Sequence, residues 1–117
     1  MPKKEADAEK TYKLGIGRPI EMLGPDKEGV KGLTIGQVIV QMIPGLAQQD
    51  NERAIRIWRI GMTIDAGKDE FLELSEIDFK MLKTLLLSDQ RPIWVKANLM
   101  AAFQDAEERA GASTTDD

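Results

Sequence analysis

Two groups of side chains in this sequence have the types and spacing that could do chemistry. Four carboxylates, Asp65, Asp69, Glu70 and Glu73, surround Gly67, and three arginines, Arg53, Arg56 and Arg59, recur at every third position beside Trp58. Oxygen ligands around a glycine suggest a calcium loop, but an EF-hand requires them at alternate positions with a Glu closing the loop. That spacing is not met, and a charged connector is the expected role. Arginines beside an indole can hold a phosphate and stack on a base. Helical geometry divides this set: Arg56 follows Glu52 by one turn and is expected to pair with it, whereas Trp58 falls in line with Ile55 and Met62 and is expected in the core. Arg53, Arg56 and Arg59 are therefore the contact residues of an alternative, nucleic-acid reading.

The residues most useful to catalysis are missing. The sequence has no His and no Cys, which removes the commonest general base, the thiolate nucleophile and the usual ligands of transition metals. Gly15 and Gly17 open like a dinucleotide fingerprint, but Ile20 stands where the third glycine belongs. No catalytic, cofactor or metal site is expected, and the chain reads as a binding protein rather than an enzyme.

Charge points away from a dedicated nucleic-acid partner. Residues 1–33 carry 7 basic and 6 acidic side chains, residues 34–67 carry 3 and 3, and residues 68–117 carry 6 and 11. No third of the chain is a basic patch of the kind that draws affinity from neutralised phosphates. The charged start, with Lys3, Lys4 and Glu5, lacks the apolar run of a signal peptide, and no stretch approaches the ~20 apolar residues of a membrane span. A cytoplasmic location is expected.

The elements that would position any site are mostly helices. Thr34 can cap a helix with apolar positions Ile35, Val38, Ile39, Met42 and Ile43, ended by Pro44 and Gly45, although its β-branched content makes a strand the competitor. Asp50 can cap a second helix reaching Ala66, with Gly67 as its stop. Phe71 to Leu74 is extended, and Ser75 with Asp78 imitates a capping box for a third helix reaching about Leu87. Pro92 suits the first position of a fourth helix running to Ala110, before Gly111. Pro19 to Leu23 and Val30 to Leu33, joined by a Gly, Pro and Asp turn, suggest a hairpin. The expected fold is mainly α: a small helical domain of about four helices with a short N-terminal β-hairpin, spanning 13–110 between a mobile arm, 1–12, and a mobile tail, 111–117.

Three of these helices carry more apolar surface than one core can take. The fourth has its main stripe at Val95, Leu99, Ala102, Phe103 and Ala106, and a second line at Ile93, Ala97 and Met100, with Trp94 between them. The second opposes Ile55, Trp58 and Met62 to Ile57, Ile60, Gly61 and Ile64. The third opposes Phe79, Leu82 and Leu86 to Ile77, Met81 and Leu85. A domain this small leaves most elements with an outer face, so leftover apolar surface is expected to meet a partner. Ile93, Trp94, Ala97 and Met100 are the candidate interface.

The order of these features, Pro19 to Gly29 rich in turns, Gly32 to Val38, a helix, then Phe71 to Leu82, is similar to small helical accessory proteins of tailed phages and prophages, over roughly residues 19–105. The resemblance implies a non-enzymatic accessory or assembly role through protein contacts, in the cytoplasm of a host cell or in the virion. It implies a phage or host protein as partner, while the surplus apolar faces by themselves suggest a homo-oligomer. The chain departs from tail-assembly chaperones in lacking a strand-rich first half.

Overall fold

The computed structural model describes residues 11–115 except 48, 49, 68 and 89. It contains two strands, β1 (Thr11–Gly15) and β2 (Phe71–Ser75), and four α-helices, α1 (Ile35–Met42), α2 (Asn51–Ala66), α3 (Glu76–Ser88) and α4 (Ile93–Thr115). The mainly α class with a small two-stranded sheet is as expected.

Local chemistry sets most of the boundaries. The Thr34 hydroxyl accepts from the Gln37 amide at 3.3 Å while the Gln37 side chain accepts from the Thr34 amide at 2.9 Å. This reciprocal cap satisfies two donors that a strand would have to pair elsewhere, and it starts α1 despite the β-branched residues. Ile35, Val38, Ile39, Met42 and Ile43 are all buried, as a helical period requires. Asp50 accepts from the amides of Glu52 and Arg53 to start α2. Ser75 accepts from the Asp78 amide at 3.2 Å, so β2 passes into α3 without a linker.

The sheet is antiparallel, with Thr11 opposite Ser75 and Gly15 opposite Phe71. Tyr12, Leu14, Leu72 and Leu74 point into the core, while Lys13 and Glu73 face out. Tyr12 stacks on Phe79 at 4.2 Å between ring centroids, and Phe79 meets Phe103 edge-on at 5.4 Å. This aromatic chain joins β1, α3 and α4. Helix α1 packs on both α2 and α4, which barely meet each other.

Three expected boundaries move. The segments Pro19 to Leu23 and Val30 to Leu33 do run antiparallel, but they share one bridge, Pro19 with Thr34, and an Ile20 amide bond to the Leu33 carbonyl. Their connection, Gly24–Val30, is a 3-10 helix with Pro25 in its first turn, entered and left through left-handed Gly24 and Gly32. The ladder itself is made by β1 and β2, far apart in sequence. Thr11 and Tyr12 belong to β1, and Tyr12 is buried, so these two are not part of a mobile arm. The rest of that arm, residues 1–10, lies outside the described residues. Helix α4 continues to Thr115 instead of ending at Ala110. Gly111 does not take the left-handed conformation in which a glycine commonly caps a helix; among the described glycines Gly24 and Gly32 adopt it.

Candidate interaction surface

The inner face of α4 is the one the sequence marks: Val95, Leu99, Ala102, Phe103 and Ala106 are all buried. Its first two turns therefore present Ile93, Ala97 and Met100 outward. Ile93 is 84% exposed, Met100 is exposed at the edge of that face, and Trp94 is half-buried against the core.

The chain from Arg18 to Lys27 lies beside this face and turns it into a groove of about 370 Å³. Asn98 holds the segment in place. Its Oδ1 accepts from the Glu21 amide at 2.8 Å, and its Nδ2 donates to the Glu21 carbonyl at 2.9 Å and to the Trp94 carbonyl at 2.6 Å. One side chain thus mimics a strand partner for Glu21. Arg18 adds a long contact to the Ala101 carbonyl at 3.5 Å. Trp94, Ala97 and Ala101 line the groove together with Met22, and Leu23, 88% exposed, stands on its rim. The sequence does not reveal Leu23 as part of the surface, because the Asn98 contact that brings it there spans 77 positions.

Helix α2 has a second outward apolar face, on a line opposite to the one expected. Ile57, Ile60, Gly61 and Ile64 are buried, whereas Ile55, Trp58 and Met62 are each more than half exposed. Trp58 is not a core residue. The reason is at Gly61, where a Cβ would lie 2.9 Å from Ile43 Cδ1: the turn that follows α1 approaches closely on the glycine side, and an indole would hold the two elements apart. A slot of about 150 Å³ between Val40, Ile43, Pro44, Trp58 and Met62 continues this ridge.

The three arginines do not converge on one site. Arg53 lies 3.8 Å from Asp50, and Arg56 lies 3.0 Å from Asp78 on α3, not beside Glu52. Arg59 is exposed and has no ion-pair partner among the described residues.

The carboxylates around Gly67 also stay apart. Among the described residues no three acidic side chains gather closely enough to hold a metal. A hollow of about 430 Å³ is lined by Asp65 and Asp69 with Thr34, Gln37 and Gln41. The first amides of α1 that border it already donate to Arg18, Ile16 and Thr34 oxygens, so it offers an anion no free donors there. Three further ion pairs lie at the surface: Lys83 with Glu107 at 2.7 Å, Arg109 with Asp105 at 3.0 Å, and Lys80 with Glu76 at 3.1 Å. The hydrogen bond to Glu76, aided by its negative charge, raises the Lys80 pKa above the ordinary lysine value. Among the described residues no helix is long and apolar enough to cross a membrane.

No family model matches the chain, and no curated protein or solved structure matches it either.

Proposed function

We propose that this chain is a non-enzymatic accessory or assembly protein of the tailed-phage type, acting through protein contacts and self-association in the cytoplasm of a host cell or in a virion. The phage assignment rests on the resemblance of residues 19–105. The contact role is supported by one observation above the others: Leu23 and Ile93, both more than four-fifths exposed, flank a groove lined by Trp94, Ala97 and Ala101. Leaving such side chains in water forfeits roughly 25 cal/mol for each Å² that a partner would cover.

Light scattering at micromolar concentration tests self-association. The expected mass exceeds that of one 13.0 kDa chain, and Met100→Asp is expected to shift it toward the monomer with helicity retained. A protein that stays monomeric into the hundreds of micromolar would leave only a foreign partner for the groove. The alternative, a nucleic-acid-associated regulator using Arg53, Arg56 and Arg59, has one supporting observation: Arg59 is exposed with no ion-pair partner among the described residues. Arg53 and Arg56 already face Asp50 and Asp78. Binding through these arginines would weaken steeply with salt in a mobility measurement.

A further inference from the structure

The molecule has two exposed apolar faces on different helices. The α2 face presents three large exposed side chains, Ile55, Trp58 and Met62, beside a small slot, and the face between α4 and the Arg18 to Lys27 segment is a larger groove. They share no residue, and α1 lies between the helices that carry them. We infer that the occupant of the groove is the α2 ridge of a second copy of this chain, so that copies associate head to tail. This refines the self-association proposed above and rests on it.

Size, charge and symmetry support that occupant. Three large side chains, each slightly over half exposed, present on the order of 300 Å² of apolar surface, enough for the centre of an ordinary interface with a polar rim around it. The ridge is flanked by Arg59 and ends at Asp65, while the groove is bordered by Glu21 and Lys27. All four are exposed, and none has an ion-pair partner among the described residues. In one of the two directions in which the ridge can lie in the groove, Arg59 meets Glu21 and Asp65 meets Lys27, opposite charges in both pairs, and that direction also sets Asp65 and Glu21 at different ends from one another; Arg18 lines the groove as well. Folding α2 against α2 about a two-fold axis near Trp58 instead sets Arg59 beside its own copy. Pairing α4 with α4 would leave the ridge uncovered. Because a head-to-tail contact uses two different faces, one copy of a joined pair keeps its groove free and the other its ridge, and the product is a ring or an open chain rather than a closed dimer.

A mixing experiment decides it. Trp58→Asp spoils the ridge and Ile93→Asp spoils the groove; Met62→Glu and Leu23→Asp are the substitutes if either loses helicity by circular dichroism. Light scattering of the wild-type protein is expected to give a mass above two chains. Each variant alone is expected to be monomeric. Their equimolar mixture is expected to give a species of two chains and no larger, because one intact ridge and one intact groove remain. A ridge variant that still dimerises alone would assign the contact to α4 on α4 and overturn the head-to-tail arrangement, while keeping self-association. A groove variant that still dimerises alone would do the same for α2 on α2. Two monomeric variants that stay monomeric when mixed would overturn the pairing of these two faces. A wild-type protein monomeric into the hundreds of micromolar would overturn this arrangement together with self-association. The expected result is sharpened by charge exchange: Arg59→Glu alone lowers the mass, and Glu21→Arg in the same chain restores it.

Discussion

Helices α2 and α4 pose the same puzzle, two apolar lines on one helix, and resolve it differently. On α4 the buried line holds the bulky residues, Leu99 and Phe103, and the outer line is thin in its centre, where Ala97 stands. On α2 the bulkiest residue, Trp58, lies outside, and a glycine lies inside. The difference follows from what each helix packs against. The inner face of α4 meets β1, α3 and α1 together, and large side chains fill the space where they converge. Helix α2 lies directly on α1 and the turn after it, and that approach is set by the gap between Gly61 and Ile43. Size therefore marks burial on one helix and exposure on the other.

Phe103→Ala is the sharpest way to break that comparison. Phe103 is fully buried and touches Phe79 edge-on, so its truncation is expected to cost about 3 to 5 kcal/mol in urea unfolding. A loss below about 1 kcal/mol would show that the inner face of α4 does not hold the core together. Gly36→Ala tests the close packing of α1. A Cβ there would lie 3.0 Å from Ile64 and 3.1 Å from both the Cβ and the carbonyl oxygen of Ile16, and the backbone contact cannot rotate away. A loss of about 1 to 3 kcal/mol is expected from this overpacking, although alanine is the better helix former.

These positions also show what the sequence could reveal. The inner line of α4 was legible because Gln104, Asp105, Glu107 and Glu108 mark the outer side of its second half. On α2 the polar wedge runs between the two apolar lines and favours neither, so hydrophobicity alone pointed to Trp58. The usable signal was Gly61, a residue that costs a helix about 1 kcal/mol and is tolerated where another backbone comes close. The caps at Thr34, Asp50 and Ser75 were local and readable. The β1 to β2 ladder was not, because all of α1 and α2 lies between its strands in the sequence. Of the candidate surface, Ile93, Ala97 and Met100 were legible from periodicity; Leu23 and the groove wall depend on the long-range Asn98 bonds.

Those bonds give the third test, now of the concave face. Asn98→Ala removes the hydrogen bonds to both backbone groups of Glu21, and neither group lies far from water. The expected loss is about 1 to 2 kcal/mol. Its more specific sign is faster proteolysis within Gly24–Val30 at unchanged helicity, since the segment loses its tie to α4. Equal cleavage rates in the two proteins would mean that the bridge at Pro19 holds the groove wall unaided.

The smallest effect on the folded monomer is expected at Trp58, and its size depends on concentration. The indole is 53% exposed and its helix is held to α1 by the opposite face. In dilute solution, Trp58→Ala is expected to lower the urea midpoint by the equivalent of about 1 kcal/mol or less, well below the Phe103→Ala loss despite the larger side chain removed. Raising the protein concentration separates the two substitutions further. If Trp58 seats in a second copy, association stabilises the wild-type fold by mass action, and its midpoint rises with concentration. Trp58→Ala removes that linkage, so its midpoint stays level and the gap from wild type widens. Phe103→Ala keeps the ridge, so while folded it retains a concentration-dependent midpoint. Parallel, concentration-independent midpoints for wild type and Trp58→Ala would mean that the ridge meets no second copy. A loss of 3 kcal/mol or more in dilute Trp58→Ala would return the indole to the core and reverse the assignment of faces on α2.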